Sequence, residues 1–267
     1  MAKNVQGSDK VADAKKKAQA QVRAQERRTA LIWVVVGVVV VALFAALVSY
    51  VVRQGQVADV GSGDQLTPAV ATENGGFPIG TSGVVGEELD DSRVQVDVYL
   101  DFMCPICGVF EESQGPVLEQ LREDGTADVY YHPISILDRY SQDTEFSTRS
   151  ASAAALIAQE SPENFLNFVE AMFLNQPAEN TTGLTDAEIQ EIARVAGVPD
   201  DVVAKIPDHA YAAWVRSATE QASIDGMKGT PSIAINGEMQ DPRANPDDLN
   251  WTEPGALLSA VQEAANE

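Results

Sequence analysis

The chain has 267 residues, 45% of them hydrophobic, which allows one large or two small domains with a sizeable core. Its formal net charge is −22, and the charge is unevenly placed: residues 1–30 carry eight Lys and Arg against three Asp and Glu, whereas residues 54–267 carry nine against 37. That acidic excess argues against nucleic acid and anionic membrane surfaces as partners of the longer part.

In chain order, residues 1–30 are polar and rich in Ala, Lys, Gln and Arg, with no chemistry to name. Residues 31–52 contain no charged side chain. As a helix they would span roughly 33 Å, which predicts a single transmembrane helix and the lipid bilayer as a partner. Lys15, Lys16, Lys17, Arg23, Arg27 and Arg28 precede this run and only Arg53 lies close behind it, so the amino terminus is predicted to be a cytoplasmic tail and the remainder extracytoplasmic. The run is longer than a signal-peptide core and no clear small-x-small cleavage site follows, which favours an uncleaved single-pass anchor in the cell membrane. Residues 53–88, with many Gly, Ser, Thr and Asp, read as a linker, within which 69–71 and 77–85 offer a short edge strand.

A folded domain is predicted over 89–267. It opens with Val94–Leu100, where strict alternation of apolar and other residues is the period of a strand with one buried face. Asp101-Phe102-Met103-Cys104-Pro105-Ile106-Cys107 follows and holds the only two cysteines. Phe110, Val117, Leu118 and Leu121 then mark a helix, with a kink expected at Gly115-Pro116 and an end at Gly125. Val129-Tyr130-Tyr131-His132 reads as a second strand, parallel to the first through a right-handed crossover. About 144–226 is helical throughout: Ser161-Pro162-Glu163 starts one helix, Thr185 with Glu188 forms a capping box, and Tyr211, Trp214, Val215 and Ala218 mark another. Ser232–Ile235 is a strand, Asn236-Gly237 a hairpin turn into Glu238-Met239, and a last helix follows Pro254. The fold class is α/β, a sheet split by a helical insertion.

A Cys-x-x-Cys between strand and helix places the first sulfur over the unpaired N–H groups of the helix start, which favours thiolate. Pro105 suits the first helical position. A closed zinc site needs four ligands, and His132 and His209 lie far away in sequence, so neither metal nor other cofactor is predicted. A purely structural disulfide closing so small a loop would remove little unfolded-state entropy. The second part of the signal is Lys228-Gly229-Thr230-Pro231-Ser232, directly before a strand.

Taken together, the strand into the cysteine stretch, the helical insertion and the Gly-Thr-Pro segment resemble the DsbA-like branch of the thioredoxin superfamily over about residues 90–265. With the anchor, the chain resembles the membrane-tethered thiol–disulfide oxidoreductases of Gram-positive bacteria. The resemblance implies a thioredoxin-like fold, an exposed Cys104 and a buried Cys107 as the catalytic pair, and a cis Pro231 lying against them. Thr230 would present its backbone to an extended substrate segment by strand addition. It further implies exported proteins with cysteine pairs as substrates and a DsbB-like or vitamin-K-epoxide-reductase-like (VKOR-like) membrane thiol oxidase as partner. A reductase, an isomerase, a non-catalytic peptide-binding module and a metal-delivery protein are the alternatives.

Four residues near the cysteines are candidates for tuning them: Asp101, Pro105, Ile106 and Glu111. Ile106 stands where DsbA has histidine and cannot donate a side-chain hydrogen bond to a thiolate, which leaves the direction of electron flow open. Glu111 coincides with an acidic position of that family; a solvated carboxylate on the helix face is the expectation, with proton transfer as the alternative. Asp101 divides evenly between tuning the cysteines and a turn or cap preference. His132 is expected to be structural, since the sequence shows no partner for it.

Overall fold

The computed structural model describes residues 65–90 and 92–266, together with Val41. The predicted tail, the rest of the anchor run and the first part of the linker lie outside the described residues. No helix among the described residues is long and apolar enough to cross a membrane.

The alternating stretch forms β2 (Val94–Leu100), the centre of a five-stranded sheet ordered β1–β3–β2–β4–β5. β3 (Ala127–Pro133) pairs with it in parallel, as the crossover requires, and β4 (Ser232–Ile235) pairs antiparallel on the other side. Asn236 and Gly237 both have positive φ, 49° and 82°, the requirement of the two-residue turn that leads into β5 (Glu238–Gln240). The short edge strand expected within 77–85 is present, whereas 69–71 forms a turn. β1 (Phe77–Ile79), inside the stretch read as linker, pairs antiparallel with β3, and Phe77 and Ile79 are fully buried.

Both faces of β2 are covered, not one. Val94, Val96, Val98 and Leu100 face one side, while Asp97 and Tyr99, on the other, are also buried. The buried Asp97 is matched from the neighbouring strand and from its own: its Oδ1 lies 2.8 Å from His132 Nε2 of β3, and Gln95 Nε2 of β2 donates to its Oδ2 at 2.8 Å. The His132 ring stacks on Tyr99 with centroids 4.1 Å apart. His132 is thus the partner of a buried carboxylate, a pairing that removes the cost of an unmatched polar group inside the protein.

α1 (Pro105–Glu123) buries Cys107, Phe110, Leu118 and Leu121 and continues through Pro116 as one helix. It ends as its sequence predicts: Gly125 takes φ +76°, and the Gly125 and Thr126 N–H groups return to the carbonyls of Arg122 and Leu121. The insertion is built from α2 (Phe146–Glu160), α3 (Phe165–Leu174), α4 (Asp186–Val195), α5 (Asp200–Val203) and α6 (Ala212–Ile224). α2 is its central element, with twelve of its fifteen residues buried; its run of Ala and Ser lets neighbours approach from every side. The Thr185–Glu188 capping box starts α4. α7 (Ala256–Ala264) closes the domain by burying Leu257 and Val261.

Candidate active site

The end of β2 delivers the chain to the cysteine turn, and Asp101 organises that turn. Its carboxylate is completely buried and accepts three hydrogen bonds: Oδ1 from Met103 N at 2.9 Å and from Ser147 Oγ at 2.7 Å, Oδ2 from Leu137 N at 3.0 Å. Burial, against these bonds, lifts its pKa to about 7, and negative charge on Cys104 adds to the rise. Both expectations for Asp101 therefore hold a part: it is a turn-forming acceptor, and it is electrically coupled to the first sulfur.

Cys104 occupies the cap position of α1 and Pro105 its first turn. Cys104 is only 7% exposed and Cys107 not at all. The expected exposed sulfur is therefore largely covered, and what meets solvent around it is Pro105, Ile106 and Val109, the last two more than half exposed. The cover comes from the segment before β4. The register of β2 with β4 sets Tyr99 opposite Ser232, which places Thr230 and Pro231 beside the cysteine turn. The Thr230–Pro231 peptide bond is cis, and Cys104 Sγ lies 3.3 Å from the Thr230 carbonyl oxygen. Thr230 Oγ1 is buried and has no partner in this hydrogen-bonding arrangement.

The two sulfurs are driven apart in acidity. The Cys107 thiol, foremost, then the Thr230 hydroxyl and the N–H groups of Cys107 and Ile106 bring the Cys104 pKa down to about 6, against its burial. Burial, reinforced by the neighbouring Cys104, pushes Cys107 well above the ordinary thiol value. Ile106 contributes its backbone N–H alone.

Alkylation of the reduced full-length protein with iodoacetamide is expected to rise through a midpoint near pH 6 at Cys104; a midpoint at pH 8 or above would refute this electrostatic account. Since the folded value lies below the reference of 9.0, ionisation stabilises the reduced fold. That stabilisation is complete above about pH 9 and is lost as the pH falls through about 6.

The thioredoxin family model matches residues 80–252, about two thirds of the chain. The chain belongs to the thioredoxin family. The crystal structure of oxidised DsbA from Mycobacterium tuberculosis is similar to it at 30% identity, covering 72% of this chain and 93% of that one, with a TM-score of 0.58. Among curated proteins it is similar to the serine/threonine-protein kinase PknE of M. tuberculosis, at 29% identity over 160 residues, 55% of this chain and 28% of the kinase. The match thus spans little more than a quarter of that relative's length. Disulfide bond formation protein D of Bacillus subtilis is similar at 24% identity, over 61% of this chain and 72% of its own length. The likeness to a thioredoxin-like fold of DsbA type, with its helical insertion, agrees with the expectation drawn from the two motifs.

Two further residues of this thioredoxin-family site differ from, or escape, the sequence reading. Gln176, just after α3, donates from Nε2 to the carbonyls of Phe102 at 3.0 Å and Cys104 at 2.8 Å, so the insertion is latched onto the cysteine turn. Its Oε1 lies over Gly108, where an added Cβ would come within 2.7 Å. No periodicity or motif marks a glutamine seventy residues downstream. Glu111 is the correction. It is half-buried, its Oε2 is shielded from solvent without a hydrogen-bond partner, and burial, then Glu170, raises its pKa to about 7. The expected solvated position is covered by α3.

For Glu111 the folded value lies above the model-compound 4.5, so it contributes stability that is present below about pH 4.5 and lost as the pH rises through about 7. Glu111→Gln is expected to raise the unfolding free energy at pH 8 by roughly 1–3 kcal/mol and to leave it nearly unchanged at pH 4. Urea titrations at the two pH values read this directly, and equal effects at both would refute it.

Among the described residues no cluster of three or more His, Cys, Asp or Glu is placed to hold a metal ion, and His209 lies against Asp186 at 3.0 Å. The arrangement provides one acidified sulfur, a second protonated sulfur one turn inward, and an adjacent peptide carbonyl: the components of thiol–disulfide exchange.

Proposed function

We propose that this protein is a membrane-anchored, extracytoplasmic thiol:disulfide oxidoreductase that oxidises cysteine pairs of exported proteins through a Cys104–Cys107 disulfide. The observation that carries the reading is the Cys104 sulfur, with its pKa brought down to about 6, against the Thr230 carbonyl beside a cis proline. A substrate thiolate attacks Cys104 Sγ; the S–S bond breaks and Cys107 takes a proton. A second substrate thiolate then attacks the substrate sulfur of the mixed disulfide, and Cys104 leaves as thiolate. The substrate gains a disulfide, and its two electrons remain on the enzyme dithiol. A membrane thiol oxidase of the DsbB or VKOR kind is the partner proposed to remove them.

The low pKa of Cys104 favours its departure and stabilises the reduced enzyme, and both make a dithiol pair oxidising. This supports oxidation despite Ile106, because Cys107, Thr230 and backbone N–H groups supply the stabilisation a histidine would give. Equilibration of the full chain with glutathione buffers tests direction: a potential well above the roughly −270 mV of thioredoxin is expected, and a value at or below it would assign the protein to reduction. The uncharged run at 31–52 and the basic residues before it support the anchor and its orientation. Protease added outside intact cells should remove the domain that carries Cys104; protection would overturn that placement.

A further inference from the structure

An open cavity of about 750 Å³ lies along the flank of α1 where the segment leading into and through α3 crosses it. Five carboxylates line it: Glu111, Glu112 and Glu119 from α1, Glu163 and Glu170 from the crossing segment. One cation shares the lining, Arg122, and its NH1 is occupied by the carbonyls of Gly80 at 2.9 Å and Thr81 at 3.0 Å. Among the described residues none of the five carboxylates forms an ion pair.

Acidic side chains on a solvated surface need no partner, but Glu111 is different. It lines the cavity, and one of its carboxyl oxygens is shielded from water with no donor to satisfy it, an arrangement that disfavours the unpartnered ionised state. Apolar parts of the wall come from Val109, Leu118, Leu166, Phe173 and Leu174, with Val109 and Leu174 strongly exposed. A metal ion does not suit this lining, since the carboxylates are not gathered into a ligating group. An alkyl stem ending in a positive charge does, because such side chains bury their methylenes while the head seeks a counter-charge.

We propose that this cavity receives a lysine or arginine side chain of a partner polypeptide, with its stem along Val109, Leu166 and Phe173 and its cationic head between Glu111 and Glu170. The cavity reaches the cysteine turn at Pro105 and Gln176, but the proposed contact uses neither Cys104 nor Cys107 and stands whether or not the protein exchanges disulfides.

The test uses the full-length chain in detergent micelles, with labelled Leu and Val methyls observed by NMR. The probes are the peptide acetyl-Leu-Arg-Leu-Gly-amide, its citrulline counterpart, which keeps the shape without the charge, and spermidine. Saturable shifts at Val109, Leu166 and Leu174 are expected with the arginine peptide, with affinity at least tenfold weaker for the citrulline peptide. The Glu111→Gln, Glu170→Gln double variant should also bind at least tenfold more weakly, with other methyl shifts retained. Equal binding of the two peptides overturns the proposal, as does undiminished binding by the variant. Spermidine binding in place of the arginine peptide would overturn the polypeptide as occupant.

Discussion

Cys104→Ser is expected to lower the rate of disulfide transfer to a reduced peptide dithiol by at least about 10³-fold, the scale typical of removing a nucleophilic atom from a site that acts as a unit. Cys104 is the sulfur acidified to about pH 6, and it adjoins the Thr230 carbonyl; serine at this position can form no mixed disulfide. Cys107→Ser should behave differently. Cys107 is completely buried and its thiol is pushed up, so its loss leaves a Cys104 thiolate that can attack the disulfide of an oxidised substrate but has no second enzyme sulfur to displace that substrate. That variant should accumulate mixed disulfides with substrate, visible on non-reducing gels. A Cys104→Ser protein retaining even a tenth of parental transfer would sink the redox reading and favour a peptide-binding module.

Phe77→Ala is expected to cost about 3–5 kcal/mol of unfolding free energy, the range for deleting a fully buried aromatic side chain. The Phe77 ring lies 5.4 Å from Phe165 and 5.5 Å from Trp214, so it contacts two elements of the insertion from a strand of the sheet. The truncation therefore leaves a void where α3, α6 and β1 meet. Urea denaturation of the full chain measures it. A loss below about 1 kcal/mol would mean that the surrounding side chains collapse into the space, or that β1 is the peripheral linker its composition suggests.

The contrast between these residues shows what sequence patterns carry. β2 and β4 were legible from alternation and from Asn236-Gly237, the capping box at Thr185 from its spacing, and the meeting of Thr230-Pro231 with the cysteines from the family resemblance that the two motifs carry. β1 was legible only as a short edge strand somewhere within 77–85, because Phe77-Pro78-Ile79 is too short to show a period and becomes a strand by pairing with Val129, Tyr130 and Tyr131 some fifty residues later. Asp97 opposite His132 escaped for a related reason: the two meet only once the parallel register puts Asp97 beside Tyr130 and Tyr99 beside His132. Glu111 occupies a position that on an isolated helix is an ordinary surface site, and only the crossing α3 makes it otherwise. Gln176 acts through two backbone carbonyls, acceptors every residue possesses, so nothing in composition distinguishes it.

The two outermost strands of the sheet are each three residues long, and neither offers a good template for growth. In β1 the middle residue is Pro78, which has no N–H to donate; β5 begins with the exposed, charged Glu238. An oxidase of exported chains, as proposed here, would meet unfolded segments and be exposed to stray strand pairing and aggregation. Under the proposed function, short, interrupted margins would leave the carbonyl of Thr230 as the place for main-chain capture, beside the sulfur that a client must reach.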